Sequence, residues 1–393
     1  MLDFNKNDLC VGCTACYSIC PVSAVKIIQS DRGFYISKID DNKCIKCGKC
    51  EKVCPVLNVR EKRDFSSIET YYAFSMNEKD RLASSSGGIF YELAKSIIKQ
   101  GGIVCGCAWD EEYVARHICT DQIDIVKEMR LSKYVQSDLK ECFSEIKNYL
   151  KKRRVLFVGT PCQTTALRSY IGSNSDNLLT CAVVCGGVPS PEVWKLYKEA
   201  LENKVGSKIN YLNMRTKVRS WLLPSIEVHF ENGTELIEVL TQNLYAANFY
   251  KGLVISKTCM NCSYKLDTVQ ADIVIGDHWG IDPAMLKISN DKGMSSVICL
   301  SDRGKVAFNN IKSELFSING NTDAVIASHY VLMHGHELNS NQDSFFEELH
   351  KIDIISNLSK YMIQPKRKMI KKILFKTNTY EMFYRAVWLI RHK

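Results

Sequence analysis

Cys10, Cys13, Cys16 and Cys20, followed by Pro21, recur 34 residues later as Cys44, Cys47, Cys50 and Cys54, followed by Pro55. Both copies read C-x2-C-x2-C-x3-C-P, a spacing that crowds three thiols round one centre and sends the fourth to another. Thiolates so arranged hold iron–sulfur cubes and move one electron at a time. The symmetry of the repeat makes the exchange reciprocal, giving Cys10, Cys13, Cys16 with Cys54 and Cys44, Cys47, Cys50 with Cys20. Two 4Fe-4S clusters are therefore expected. Disulfides would strand one thiol of each close triplet in any pairing scheme. Zinc takes four ligands, typically as two separated pairs, and has no use for a doubled run of eight.

Four of the ten other cysteines also stand where ligands could stand: Cys162 in GTPCQ, Cys185 in VVCGG, and Cys259 with Cys262 in a C-x2-C loop before ADIVIGDHWG. Spacing alone leaves several readings open. These are a third 4Fe-4S site assembled from distant segments, a C-x2-C zinc or dithiol site, and a reactive thiol at a helix start for Cys162. Cys105, Cys107, Cys119, Cys142, Cys181 and Cys299 fall on strand or helix faces and read as small packed hydrophobes. Ser84-Ser85-Ser86-Gly87-Gly88 at a helix start offers free backbone N–H groups to an anionic cofactor, as do Gly159–Pro161 and Gly276–Gly280. No GxGxxG or Walker A sequence accompanies them, and any one of these turns could be plain chain reversal. Trp279 and His278 could stack on or hydrogen-bond a flavin, or simply be a buried Trp and a satisfied His.

The elements that must position these residues fit a chain of 393 residues, 46% hydrophobic and 24% charged, with enough apolar surface for a real core. Residues 1–60 read as a ferredoxin-like module. Strands are expected at 70–75, 103–109, 155–158 and 179–184. They alternate with helices capped from Ser84–Ser86 and ended at Gly101-Gly102, then near 138–152, 161–171 and 191–204. A hairpin is expected about Gly233, core strands at ADIVIG and SSVICL, and a helix near 303–315. The fold class is thus α+β to α/β, a ferredoxin-like module fused to a mixed β/α domain with a helical C-terminal extension.

The N-terminus has no apolar leader and no stretch reaches the ~18 apolar residues of a membrane span. A cytoplasmic setting with reduced thiols is expected, which argues against a disulfide framework. Of the net charge of +9, the segment 365–393 carries nine Lys/Arg against Glu381 alone, leaving about +1 on the remainder. That remainder offers no basic face to track nucleic acid. The segment 365–393 reads as a basic amphipathic helix that either meets an anionic membrane surface or acidic partner, or packs its apolar stripe on the body.

Taken in order, SSSGG, SKYVQS (Ser132–Ser137), GTPCQ, CGG, C-x2-C and ADIVIGDHWG resemble the coenzyme F420 hydrogenase/dehydrogenase beta-subunit family over residues 1 to about 320. The resemblance implies an N-terminal-type domain at 65–205, a C-terminal-type domain at 206–320 and an extension at 321–393 outside the family pattern. It also implies a non-Rossmann flavin domain, with FAD near Ser86, Gly87, Gly88, Lys133 and Tyr134 and a third cluster on Cys162, Cys185, Cys259 and Cys262. An FAD and iron–sulfur oxidoreductase follows, with coenzyme F420 or an organic substrate at the flavin and a link to polysaccharide biosynthesis in some members. The alternative is a non-catalytic electron-transfer subunit serving a partner enzyme. The partner on either reading is a redox protein or the reduced deazaflavin.

Overall fold

The computed structural model describes residues 9–58, 60–172, 175–279 and 288–362. The basic segment 365–393 and Gly280 lie outside them. In the N-terminal module a hairpin, β1 (Val25–Gln29) and β2 (Tyr35–Ile39), pairs antiparallel under two short helices, Ala15–Ile19 and Lys49–Val53. Both helices begin just after a residue with positive φ, Thr14 and Gly48, so each cysteine run turns sharply before its third thiol.

The body is built on one mixed sheet of β3 (Glu69–Ser75), β4 (Ile103–Trp109), β5 (Ala115–Thr120), β6 (Val155–Gly159) and β7 (Leu178–Val183), completed by strands from later in the chain. An antiparallel three-stranded sheet, β8 (Ile209–Thr216), β9 (Ser225–Phe230) and β10 (Glu235–Val239), is inserted before β11 (Ile273–Asp277), β12 (Ser295–Cys299) and β13 (Leu315–Asn319) rejoin the first. The order is β13-β3-β12-β11-β7-β6-β4-β5. Its centre, β4-β6-β7-β11, is parallel, and each flank is antiparallel. Segments 65–205 and 206–320 therefore share one sheet. In such sheets ligands gather at the carboxyl ends of the parallel strands, and GTPCQ, VVCGG and GDHW all follow those ends.

Local chemistry explains the key turns. Thr160 and Gln163 close a capping box on the helix Pro161–Ile171, with Thr160 N donating to Gln163 Oε1 at 2.9 Å, and Pro161 fits the first helical position. Cys162 is thereby held at the first turn of a helix rising from β6. Gln136, from SKYVQS, accepts from Tyr35 N at 2.7 Å and donates to Tyr35 O at 3.1 Å, tying the module to the body. Gly12 sits against this clasp at φ +66°, where a Cβ would lie 2.4 Å from both Gln136 Nε2 and Tyr35 O.

Several expectations need correction. The helix Ile89–Lys99 is capped by Gly88 in the left-handed region and not by Ser84–Ser86, whose side chains bond elsewhere. The helix expected to 315 ends at Asn309, and β13 follows as an edge strand on β3. The helix expected over 138–152 spans Cys142–Tyr149. Cys105 and Cys119 are not independent hydrophobes: directly opposed on β4 and β5, they are joined as a disulfide, with Cys142 Sγ 3.8 Å from Cys119 Sγ. Cys142, Cys181 and Cys299 are buried as expected.

Candidate functional site

The eight N-terminal thiols fall into two groups that cross between the runs. Cys10, Cys13, Cys16 and Cys54 line one small cavity of about 20 Å³, whereas Cys20, Cys44, Cys47 and Cys50 line another of about 240 Å³. The short helices explain the crossing, because each carries its run's third thiol at one end and hands the fourth across to the other group. Burial and neighbouring thiols hold Cys13 well above the ordinary thiol range and Cys16 at about 12. Thiols so crowded would lose their protons only to a cation that replaces them, which is how a bound metal centre couples to such a site.

A third group is assembled by tertiary structure. Cys162 after β6, Cys185 after β7, and Cys259 and Cys262 from the loop ahead of β11 line one cavity of about 50 Å³. Burial raises all three of Cys162, Cys185 and Cys259, with the other thiols of the group adding to the shift; Cys185 rises to about 11 and Cys259 to about 12. A tetrahedral zinc with Zn–S of about 2.3 Å would draw thiolates to about 3.8 Å apart. Among the described residues no three of these four thiols come within 4.8 Å of one another.

Sequence reasoning missed Tyr264. Its ring lines the same cavity, and its buried hydroxyl has no hydrogen-bond partner. Burial raises its pKa most, followed by Cys162, Cys13, Cys54 and Cys262, so the phenol feels thiols of two groups at once. Val11, between Cys10 and Cys13, also lines both cavities.

On its other side the 50 Å³ cavity shares the loop Cys185–Val188 with a much larger one of about 910 Å³. Ser86, Gly88, Lys133 and Tyr134 line that large cavity, as do Arg215 and Trp279. Gly87 does not: it is buried, and its N–H donates to Ser295 Oγ at 3.0 Å, so it has no free donor for an anion. A Cβ there would sit 2.4 Å from Ala73 O. Gly87→Ala is accordingly expected to destabilise the fold by about 2 kcal/mol or more without regard to any cofactor. Equal thermal midpoints for variant and wild type would refute this. His278 likewise belongs to the core, stacked on Tyr72 at 3.9 Å and bonded to Ser296 Oγ at 3.1 Å.

Lys133 Nζ donates to Glu128 O and Arg130 O at 2.7 and 2.6 Å, and burial lowers it to about 8. Arg215 lines the same cavity, and no motif in the chain singles it out. It is buried against Asp277, with Nη2 2.9 Å from Oδ2, and its Nη1 donates to Tyr134 OH at 3.1 Å. Burial opposes its charge, but Asp277, Tyr134 and Tyr250 outweigh that and raise its pKa. Its Nε has no hydrogen-bond partner, nor is Nη2 aligned for one. A buried cation in the wall of a roomy cavity fits an anionic or carbonyl-rich ligand. Trp279 stacks on Trp221 at 5.3 Å and gives the cavity a flat apolar wall.

Two thiol-lined pockets in an N-terminal module, a third at the strand ends and a wide polar-and-aromatic cavity beyond it define an iron–sulfur electron-transfer protein. Residues 4–61 match the 4Fe-4S dicluster domain, and residues 152–320 match the C-terminal part of the beta subunit of coenzyme F420 hydrogenase/dehydrogenase. The chain is thereby matched to the coenzyme F420 hydrogenase/dehydrogenase beta-subunit family over residues 152–320. It is 22% identical over 328 residues to an F(420)H(2) dehydrogenase subunit of Methanosarcina mazei, covering 79% of this chain and 84% of that protein. A chain in the structure of the xenon-derivatized F420-reducing [NiFe] hydrogenase complex from Methanosarcina barkeri is 16% identical, covering 74% of this chain and 93% of its own, at a TM-score of 0.46. That likeness is too loose to place residues.

Proposed function

We propose that the chain is an FAD and iron–sulfur oxidoreductase in which three 4Fe-4S clusters link a flavin to a redox partner protein, with reduced deazaflavin F420 or an organic substrate meeting the flavin. The observation that carries this reading is the unbroken succession of cavities. The group of Cys20, Cys44, Cys47 and Cys50 adjoins that of Cys10, Cys13, Cys16 and Cys54 through the two short helices. Val11 then borders the group of Cys162, Cys185, Cys259 and Cys262, and Cys185–Val188 borders the 910 Å³ cavity. The deazaflavin is suggested by the name of the Methanosarcina mazei relative.

FAD bound in the large cavity would split a two-electron hydride into single electrons, the only form clusters accept. The residues present fit it. Arg215 offers a buried positive charge, Tyr134 and Lys133 hold the polar wall in place, and Trp279 offers a stacking face. Ser86 is kept at the rim by Ser86 Oγ donating to Met294 O at 2.8 Å and by Lys217 Nζ donating to Ser86 O at 2.8 Å.

Anaerobic purification with cofactor extraction and metal analysis tests the reading: about twelve irons and one flavin per chain are expected. Cys47→Ser should lower iron by about four and leave flavin unchanged. Turnover of reduced deazaflavin by the purified protein with an artificial one-electron acceptor is the further expectation. Full iron without flavin and without turnover would instead favour the non-catalytic electron-transfer subunit.

A further inference from the structure

The two cysteine runs have the same spacing but opposite surroundings. The first, Leu9–Cys20, contains no charged residue, and its Cys13 and Cys16 are buried against the body. The second, Lys43–Lys52, reads KCIKCGKCEK: Lys43, Lys46, Lys49 and Lys52 against Glu51, with Cys47 exposed. All four lysines are exposed, and none is ion-paired with a described residue. Ile45 stands 61% exposed among them, with Val22 at 38% beside the same cavity. Nothing in the spacing of ligands requires this cationic collar, since the first run does without it. The group it surrounds is also the one furthest from the large cavity in the succession.

We propose that this face is the docking surface for an acidic protein that carries one electron at a time, the lysines steering it and Ile45 with Val22 forming the small apolar centre of contact. The inference rests on the wire proposed above, of which this is the outer end. Charge complementarity selects the occupant. A lysine-rich run beside an exposed one-electron centre repels cationic carriers and raises the encounter rate of acidic ones, by ten- to a thousandfold in strongly steered pairs. A brief contact of this kind needs only a small apolar core. The near-zero net charge of residues 1–364 conceals the patch, whose ten residues hold four lysines against one glutamate.

Stopped-flow reduction of the oxidised protein by a dithionite-reduced, acidic plant-type ferredoxin is the test, with one-electron-reduced methyl viologen as a cationic comparison. The ferredoxin rate should fall steeply as salt rises from about 0.01 to about 0.5 M, where the Debye length shrinks from about 30 Å to under 5 Å, while the viologen rate should not fall. Lys43→Glu with Lys52→Glu, two positions that do not line the cavity, should lower the low-salt ferredoxin rate about tenfold or more and flatten or invert its salt dependence. Lys43→Arg with Lys52→Arg should keep the wild-type rate. A ferredoxin rate indifferent to salt in wild type, or unchanged in an iron-replete charge-reversal variant, would overturn the proposal. So would lysine-dependent binding to phosphatidylglycerol vesicles with no effect on the carrier rate. The readout is reduction of the N-terminal clusters, so it stands even if the large cavity proves to hold no flavin.

Discussion

Cys262→Ser is expected to leave the flavin and about eight of twelve irons in place while nearly abolishing the flow of electrons from the large cavity to the N-terminal module. Cys262 is one of four thiols lining the 50 Å³ cavity that lies between the two, so its loss removes a corner of the only proposed stepping stone. Loss of merely supporting groups around a metal costs about ten- to a hundredfold. Loss of a ligand should therefore cut deazaflavin-driven reduction of the N-terminal clusters by more than about a hundredfold. Direct reduction of those clusters by dithionite should proceed as in wild type, because they meet solvent through the module. Iron analysis, flavin content and the two reduction rates together decide the matter. Unchanged iron, or zinc found in place of the lost iron, would refute the ligand assignment.

Arg215→Ala should produce a protein both less stable and free of flavin. The Asp277 carboxylate would be left largely buried, keeping among the described residues its bond from Trp221 Nε1 at 2.8 Å. Breaking a buried pair from one side costs about 3 kcal/mol or more. The cavity wall would also lose its buried guanidinium. Arg215→Met combined with Asp277→Asn separates the effects, since a neutral pair of similar bulk recovers much of the stability. That double variant should unfold near the wild-type temperature yet retain no flavin. Full flavin retention in it would show that the cofactor does not use Arg215.

The cysteine runs were fully legible because eight ligand positions in a contiguous repeat are a local property of the chain. The parallel strands and the helices that leave them were legible for the same reason, each carrying its own periodicity and cap. What escaped reading depends on partners distant in sequence. Strand β13 gains its identity only by lying along β3, some 240 residues earlier. The union of Cys105 with Cys119 required the register of β4 on β5, a strand whose mixed pattern ARHICT does not alternate cleanly. The Ser84–Gly88 turn lines the large cavity except at Gly87, whose N–H is taken by a serine on β12, a partner no local pattern announces. Arg215 carries no motif at all, and only the fold shows it buried with donors to spare.

The thiols of the third group come from four points spread over a hundred residues and meet only when β6, β7 and β11 lie side by side. Those of the N-terminal module come from 45 consecutive residues with a hairpin between them. Contacts so distant form late in folding, whereas local ones form early. On the proposed ligand sets, maturation of the holoprotein is thus ordered in time: the iron chaperone machinery of the cell can load the module while the rest of the chain is still being made, but the third cube must wait for the finished sheet and then locks it.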